Sequence, residues 1–212
     1  MFPEIIKEIV NDTRFKESDV GRSSDTVYVF ENKYILKVSE NNEMLAREKQ
    51  GFDFLCEKGI DASRSILFTE ENGKYYYLRT YLEGYSLISE RFLKNPNLLS
   101  DVLCEVIGVL RSPILGSCPF NSTDNVGCDF VHGDLCLPNI YVTGDNHFAG
   151  FIDVGNSGLG DRWYDYAWLL WSMEYNLGTD KYGKELFARL GICYDNDKFC
   201  KYIPDDMRGM RL

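Results

Sequence analysis

The alternation of apolar and polar residues divides the chain into a strand-rich front half and a helix-rich back half. For the front half it predicts a short helix at 3–10, a hairpin of 26–30 with 34–38, a long helix at 42–58, and a second hairpin of 65–69 with 75–81. Asn72-Gly73 favours a tight turn in the second hairpin. Gly59 stands where the long helix should end, which is typical of a left-handed C-cap.

After Gly84 the spacing of the apolar residues becomes mainly helical. The predicted elements are helices at 86–93 and 98–110, an irregular stretch at 112–128, a strand pair of 140–143 with 148–152, and helices at 163–176, 180–190 and 195–202. We predict an α+β fold of two unequal lobes with a cleft between them. The N-terminal lobe is assigned to residues 1–83 and the C-terminal lobe to residues 84–212, with a hinge at 82–84.

The charge of the chain narrows the classes of partner. The net charge is −10, which argues against a nucleic acid, since that partner selects a basic face, and against an anionic membrane surface. A negative field would instead concentrate a cationic small molecule. The same acidic surplus would also serve solubility alone.

The cysteines and the apolar runs indicate a cytoplasmic protein. There are seven cysteines, an odd number, and no C-x-x-C pair occurs, so neither a disulfide framework nor a zinc site is predicted. Free thiols fit a reducing compartment. The first residues, MFPEIIKEIV, lack the pattern of a signal peptide. No apolar run approaches the roughly 20 residues needed to span a bilayer.

The segment His132-Gly133-Asp134-Leu135-Cys136-Leu137-Pro138-Asn139 carries the strongest chemical signal. An Asp followed five residues later by an Asn, on a loop before a strand pair, resembles the catalytic loop of kinases. In phosphoryl transfer an aspartate accepts the proton of the attacking hydroxyl, and a nearby amide oxygen holds the metal. We therefore predict Asp134 as the catalytic base and Asn139 as a Mg²⁺ ligand.

The second metal ligand is predicted at the end of the following strand. Phe151-Ile152-Asp153-Val154-Gly155 ends this strand, and a carboxylate there would face the loop of Asp134. Mg²⁺ prefers hard oxygen ligands and is usually held by one or two protein groups together with phosphates. Asp153 is therefore the predicted partner of Asn139.

The front half supplies the residues expected to hold a nucleotide. Gly21-Arg22-Ser23-Ser24-Asp25 opens the first hairpin, and a turn of small residues lets backbone N–H groups approach phosphates. Lys37 lies in an otherwise apolar strand, which suits a phosphate-binding lysine held by a glutamate of the next helix. Glu48, near the middle of that helix, is the predicted partner. Glu43 is the alternative, although an acid in the first turn also favours the helix dipole.

Two motifs extend this reading to a family. HGDLCLPNI and GFIDVGNSGLGDRWYDYAWLL resemble the aminoglycoside phosphotransferases, most closely the 3′-phosphotransferases, and the likeness is fainter but collinear over residues 20–84. The resemblance implies a protein-kinase-like fold and Mg²⁺-dependent transfer from ATP, with GTP not excluded. It gives Asp134, Asn139, Asp153, Lys37 and Glu48 the same roles as above. It further implies that Ser23 lies in the phosphate loop, and that segment 80–82, with Thr80 and Leu82, reads adenine through its backbone. Ile35 stands where some relatives stack an aromatic ring on adenine.

The regions expected to bind the acceptor substrate differ from the family pattern. Only 46 residues, 85–130, lie between the hinge and the His132 motif, whereas the family usually has more there. Near the C-terminus, Pro204 and Gly209 argue against a regular closing helix. Asp205 and Asp206 are candidate substitutes for the acids of that helix, and Glu174 is a further candidate contact to substrate amines. Asp165 and His132 are predicted to make structural hydrogen bonds.

The sequence is compatible with three functions. The first is an aminoglycoside O-phosphotransferase conferring antibiotic resistance, which the acidic balance and the long second motif favour. The second is a kinase of another small alcohol or amino alcohol, which the short segment 85–130 favours. The third is a nucleotide-binding remnant without transferase activity; the intact set of Asp134, Asn139, Asp153 and Lys37 counts against it.

Overall fold

A computed structural model describes residues 2–18 and 25–210. The N-terminal lobe is built on an antiparallel five-stranded sheet with the strand order β1-β2-β3-β5-β4. Its elements are α1 (Glu4–Val10), β1 (Phe15–Ser18), β2 (Thr26–Phe30), β3 (Tyr34–Ser39), α2 (Asn42–Glu57), β4 (Ser65–Glu71) and β5 (Lys74–Thr80). Both predicted hairpins are present, and β1 adds an edge strand that the apolar pattern did not predict.

Because side chains alternate along each strand, the two faces of this sheet pack against different helices. Leu36 and Leu78 point to one face, where they form a small core with Ile6 and Val10 of α1. The neighbouring strand positions point to the opposite face, toward α2. Because Lys37 pairs with Tyr77 in the register of β3 and β5, it lies on the α2 side of the sheet.

Helix α2 begins and ends as its sequence dictates. The Asn41 side chain accepts hydrogen bonds from the backbone N–H groups of Glu43 (3.0 Å) and Met44 (3.4 Å), which satisfies two of the free donors of the first turn. Gly59, just beyond the helix, has φ 73°, a left-handed conformation that glycine adopts without strain. These local signals fix the helix that carries Glu48.

The C-terminal lobe is mainly helical. Its elements are β6 (Tyr85–Ser86), α3 (Glu90–Leu93), α4 (Pro96–Leu110), β7 (Asp129–Val131), β8 (Ile140–Val142), β9 (Phe148–Phe151), β10 (Gly158–Gly160), α5 (Arg162–Leu177), α6 (Lys181–Arg189) and α7 (Asn196–Tyr202). The strands form two small sheets, β6-β8-β9 and β10-β7. Within residues 2–18 and 25–210, no helix is long and apolar enough to cross a bilayer.

The prediction of a helix over 86–93 is wrong in its first half. Ser86 pairs with Tyr141 of β8, so the chain leaves the hinge as a short strand, and the helix starts only at Glu90. Near the C-terminus the backbone makes a 3₁₀ turn, Asp205–Met207, instead of a regular helix, as Pro204 and Gly209 indicate.

The two lobes are in close contact through α2. A Cβ atom on Gly51 would come within 2.7 Å of the Val154 carbonyl oxygen, so only glycine permits α2 to lie this close to the 3₁₀ turn Val154–Asn156. On the same face of the helix, the Arg47 guanidinium donates to the carbonyl oxygens of Gly155 (3.4 Å) and Asn121 (2.6 Å). The helix that carries Glu48 therefore packs on the turn that follows Asp153.

Candidate active site

The predicted catalytic loop, residues 132–136, lies between β7 and the 3₁₀ turn Leu137–Asn139. The Asn139 amide nitrogen donates to the Asp134 carboxylate (2.8 Å) and to the Asp134 carbonyl oxygen (3.0 Å). The spacing of five residues thus brings these two side chains into direct contact. Asn139 is buried, whereas Asp134 is half-buried.

The Asp165 carboxylate of α5 fixes the backbone of this loop through two hydrogen bonds. One carboxylate oxygen accepts the backbone N–H of His132 (2.6 Å), and the other accepts the backbone N–H of Gly133 (2.9 Å). The predicted structural role of Asp165 is therefore confirmed by geometry. Burial raises the pKa of Asp165 to about 7, although the two hydrogen bonds oppose this shift by favouring the carboxylate. The same helix accepts the Leu137 N–H on the Ser172 hydroxyl (3.0 Å).

The His132 side chain links the catalytic loop to β9, again as predicted. Its Nδ1 atom accepts the backbone N–H of Asp134 (3.2 Å), so the proton of the neutral ring is on Nε2, which donates to the Ile152 carbonyl oxygen (3.0 Å). Burial lowers the pKa of His132, while the Asp134 carboxylate acts in the opposite direction. Both ring nitrogens are therefore occupied in hydrogen bonds that require a neutral imidazole.

Asp153 lies directly after β9, at the junction of the lobes. Its φ of 55° is left-handed, a conformation that only a few non-glycine residues adopt and that often marks functional positions. The carboxylate accepts the Lys37 ammonium (Nζ to Oδ1, 2.7 Å). Burial acts to raise the pKa of Asp153, but the Lys37 ammonium holds it below its ordinary value.

Lys37 also contacts Glu48, with 2.8 Å between its Nζ and Oε2 of the carboxylate. Glu43, the alternative partner, is exposed in the first turn of α2. Burial by itself lowers the pKa of Lys37, but Glu48 and Asp153 together raise it above its ordinary value. Lys37 is therefore held as an ammonium between one carboxylate from each lobe.

The oxygen atoms near Asn139 and Asp153 suit a divalent cation. Because the Asn139 amide nitrogen faces Asp134, its oxygen points away from that carboxylate. The backbone N–H of Ile152 donates to the backbone carbonyl oxygen of Asn139 (3.0 Å), so the segment that leads to Asp153 lies against the chain at Asn139. Amide and carboxylate oxygens are the ligand types that Mg²⁺ prefers. No group of three or more His, Cys, Asp or Glu side chains suitable for a metal occurs in residues 2–18 and 25–210. Mg²⁺ held by one or two protein groups completes its coordination with water and phosphate oxygens.

Two of the backbone N–H groups at the hinge already donate hydrogen bonds within the protein. The Thr80 N–H donates to the Arg64 carbonyl oxygen (2.9 Å), and the Tyr81 N–H donates to the Lys33 carbonyl oxygen (2.8 Å). The Leu82 N–H has no hydrogen-bond partner within the described part of the chain. Buried Ile35 lies on the same face of β3 as Lys37. Ser23 and Ser24 lie outside the described residues.

The candidate acceptor contacts are dispersed, and the structure does not bring them to Asp134. Glu174 lies two residues, or about 200° around α5, from Ser172, which faces the catalytic loop; its charge acts on Lys184 of α6. Asp205 and Asp206 are exposed on the turn Asp205–Met207, where Asp205 pairs with Arg208. This turn accepts the Trp171 indole N–H on the Met207 carbonyl oxygen (2.9 Å).

Arg79 is a residue of the site that the sequence reading missed. It lies in β5 beside the hinge, is only 4% exposed, and approaches the Glu48 carboxylate (Nη2 to Oε1, 3.7 Å). The signal was available, since an isolated cation in an apolar strand is the same pattern that singled out Lys37. The strand KYYYLRT carries it next to the hinge.

The family comparison matches the region that holds the catalytic loop. The model of the phosphotransferase enzyme family, APH, matches residues 129–200, from β7 into α7. This stretch contains Asp134, Asn139 and Asp153, and it omits the whole N-terminal lobe.

Curated relatives carry the likeness further along the chain. A probable aminoglycoside 3′-phosphotransferase of Lactococcus lactis is 25% identical over 234 positions, which cover 90% of this chain and 88% of the relative. An aminoglycoside 3′-phosphotransferase of Enterococcus faecalis is 43% identical over 74 residues, which cover 35% of this chain but only 28% of the relative. The alignment to the Lactococcus protein is longer than the 212 residues of this chain, so part of that relative has no counterpart here.

Solved structures match the whole fold. Aminoglycoside phosphotransferase APH(3'')-Id from Streptomyces rimosus superposes with a TM-score of 0.78 at 19% identity, and the match covers 93% of both chains. That protein has also been solved in complex with ADP and streptomycin, and a second neighbour, with a TM-score of 0.67 at 14% identity, in complex with GDP and kanamycin. The sequence and fold comparisons confirm the predicted resemblance to the aminoglycoside phosphotransferases, the bilobal protein-kinase-like fold, and the predicted enzyme class, a phosphotransferase with an alcohol group as acceptor.

Proposed function

We propose that this protein transfers the terminal phosphoryl group of ATP, in the presence of Mg²⁺, to a hydroxyl group of an aminoglycoside antibiotic. The observation that carries the proposal is the pairing of two clusters across the junction of the lobes. One cluster is the Asp134–Asn139 pair, and the other is Lys37 between Glu48 and Asp153. We propose residues 1–83 as the nucleotide-binding lobe and residues 84–212 as the catalytic and acceptor lobe.

Each side chain has a task that its geometry supports. Asp134 accepts the hydrogen bond of the attacking hydroxyl and receives its proton. The bond from the acceptor oxygen to the terminal phosphorus forms while the bond from that phosphorus to the leaving ADP oxygen breaks. Lys37 offers its ammonium to the phosphates, and Glu48 keeps it in position. Since the transition state is loose, most of the rate gain comes from placement and charge.

Asn139 and Asp153 would hold Mg²⁺ through an amide oxygen and a carboxylate oxygen. When bound, the cation neutralises charge on the phosphates. Ser23 and Ser24 are proposed to line the phosphates, and the backbone at Thr80 and Leu82 to read the base. The unpartnered Leu82 N–H supports the hinge assignment. Neighbours carry either ADP or GDP, so GTP stays a candidate donor.

The acceptor class rests on charge and likeness. A chain of net charge −10 attracts polycations, and the related proteins named above act on or bind aminoglycosides. Asp205, Asp206 and Glu174 are the proposed acidic contacts. Glu174 has the weakest geometric support of the three, since it lies on the face of α5 turned away from the catalytic loop.

A kinase of another small alcohol is the second candidate, and the short segment 85–130 favours it. The match to APH(3'')-Id spans 93% of both chains, so the overall fold is kept in a chain with this short segment. The segment therefore bears on which acceptor is held, and the phosphoryl chemistry is common to both candidates.

The deciding experiment is Mg²⁺-dependent ADP release by the purified protein. The acceptor panel contains streptomycin, kanamycin, neomycin and small amino alcohols, each tested with ATP and GTP. Release that one aminoglycoside stimulates, and that Asp134→Ala abolishes, is the expected result. Stimulation by an amino alcohol alone would establish the second candidate. Nucleotide binding without stimulation by any acceptor would indicate a remnant.

The metal assignment has its own test. Asp153→Ala should weaken Mg²⁺-dependent binding of ADP by about tenfold or more, because the remaining ligand is a neutral amide. Calorimetric titration with Mg²⁺ and with EDTA measures this directly. Asp145→Ala, on the exposed turn between β8 and β9, serves as the control and should bind as the wild type does. An Asp153→Ala protein with unchanged Mg²⁺ dependence would remove Asp153 from the metal site.

A further inference from the structure

Arg79 is buried in the N-terminal lobe where apolar residues would be expected. The side chain is 5% exposed and lies on the α2 side of the sheet, next to Lys37 and across the strand pair from Ile35. Burial of a guanidinium costs several kcal/mol unless it is paired and hydrogen-bonded. The contacts of Arg79 must therefore offset the cost of burying its charge.

Three contacts hold the guanidinium. Nη1 donates to the buried Ser63 hydroxyl (2.7 Å), the Phe52 ring lies 4.8 Å from the guanidinium carbon, and Nη2 stands 3.7 Å from Oε1 of Glu48. Oε1 is buried and has no hydrogen-bond partner within residues 2–18 and 25–210. The other oxygen of the same carboxylate contacts Lys37. Glu48 is therefore flanked by two cations, a close one on Oε2 and a looser one on Oε1.

The charges of this cluster differ with and without Arg79. Lys37, Glu48 and Asp153 together carry one net negative charge, which opposes the approach of a polyphosphate. Adding Arg79 makes the four side chains neutral, and this change matters more in a poorly hydrated environment, where charges act more strongly than in water. The field of Arg79 reaches the cleft, since it also acts to lower the pKa of Asp153.

We propose that Arg79 is a positioning residue for phosphoryl transfer, holding the Glu48 carboxylate from the side opposite Lys37. When Lys37 turns its ammonium toward the phosphates, Glu48 keeps a counter-charge instead of remaining buried and poorly paired. The open contact of 3.7 Å leaves room for Arg79 and Oε1 to close as this happens. The inference rests on the proposed function, because it assumes that Lys37 binds nucleotide phosphates.

The test replaces Arg79 by methionine, which keeps an unbranched apolar side chain but no charge. Affinity for Mg·ADP is measured by calorimetry, and kcat and KM for ATP are measured separately. Arg79→Met should lose about tenfold in nucleotide affinity, with a further loss in kcat. Arg79→Lys should recover part of both losses. Arg64→Met, the same substitution at an exposed arginine just before β4, should bind nucleotide as the wild type does.

A double-mutant cycle shows whether Arg79 acts through Glu48. In a Glu48→Gln background there is no carboxylate to hold, so Arg79→Met should cost much less there than in the wild type. Equal costs in both backgrounds would overturn the proposal. Arg79→Gln, which keeps a polar side chain in the same pocket, provides the same comparison if the methionine variant does not fold.

Two outcomes distinguish the positioning role of Arg79 from the proposed function on which it rests. A folded Arg79→Met protein with wild-type nucleotide affinity and kcat would overturn the positioning role, even if its melting temperature fell, since a merely structural residue would behave in that way. A wild-type protein that neither binds Mg·ADP nor turns over would overturn the proposed function itself.

Discussion

The catalytic loop and the acidic turn near the C-terminus are held in opposite ways. The loop rests on side chains almost fully removed from solvent, since His132 and Ser172 are each 1% exposed and Asp165 is 2% exposed. On the turn Asp205–Met207, the Asp205 side chain is 89% exposed, and its partner Arg208 belongs to the same short segment. The loop that carries Asp134 is thus held by the core, whereas Asp205 and Asp206, proposed for the acceptor, lie on an exposed turn.

This difference separates what is rigid from what can vary. Displacing the loop would leave buried N–H groups of His132 and Gly133 without acceptors, at about 1–3 kcal/mol each. Replacing an acid on the exposed turn breaks only a surface ion pair, which typically contributes less than about 1 kcal/mol. Substitutions in the two regions should therefore differ in both the size and the kind of their effects.

The largest effect is expected at the centre of the loop. Asp134→Ala should lower kcat by about 10³-fold, because no other group receives the hydroxyl proton, while ADP affinity stays within about twofold. Steady-state turnover and calorimetry measure the two quantities. Unchanged turnover would remove Asp134 from the role of base and would end the contrast between the two regions.

The second largest effect is expected at Asp165, which accepts hydrogen bonds from the backbone of the loop. Asp165→Asn would turn an amide N–H₂ group toward one of the two backbone donors, so we expect a loss of about 2 kcal/mol in the free energy of unfolding, together with a lower kcat. Urea denaturation and turnover test this prediction. Asp101→Asn, at an exposed acid of α4, is the matched control. A variant as stable and as active as the wild type would show that the loop does not depend on α5.

Acid should weaken the loop through His132. Because burial lowers the pKa of the folded ring, the folded protein binds fewer protons than the unfolded chain below about pH 6.5. Stability should therefore fall as the pH drops from 6.5 to 5.5, by about 1 kcal/mol from this residue. Unfolding of wild type and of His132→Gln at both pH values isolates the contribution, since the variant lacks it. His147→Gln, at the exposed second histidine, should keep the wild-type dependence, and an identical acid response in all three proteins would contradict the prediction.

The smallest effect is expected on the acidic turn. Asp205→Asn with Asp206→Asn should raise KM for a cationic acceptor only about two- to fivefold, with kcat unchanged. The same double substitution should leave KM for ATP unaffected, which provides an internal control. A rise of two orders of magnitude would mean that the turn grips the acceptor as firmly as the core holds the loop.

The sequence predicted those parts of the molecule that local chemistry specifies. Helix α2, both hairpins of the first sheet and the contact between Asp134 and Asn139 follow from capping residues, turn residues and spacing. The strands that were missed are short or lie at edges. β7 and β10 have three residues each, too few for an alternating pattern to be recognised.

The features that the sequence did not specify depend on contacts distant in the sequence. The start of the predicted helix at 86–93 became a strand because β8, more than fifty residues later, offers it hydrogen bonds. Glu174 was chosen because it follows the run 168–173, where relatives carry acids, and its contact to a substrate stays a prediction. The hydrogen bond from Leu137 to Ser172, which sets the face of α5 that meets the catalytic loop, is not visible in the local sequence. The local pattern of β5 could have singled out Arg79, but its contact with Glu48 on α2 is visible only in the structure.

The close contact of Gly51 with Val154 couples the packing of the two lobes to the nucleotide site. A Cβ atom at position 51 would lie only 2.7 Å from the Val154 carbonyl oxygen, so a larger residue would force α2 and the turn that follows Asp153 apart. Because α2 also carries Glu48, such a displacement would alter the contact of Glu48 with Lys37. We therefore expect the absence of a side chain at this one position to set how closely the carboxylates of the two lobes approach the same lysine.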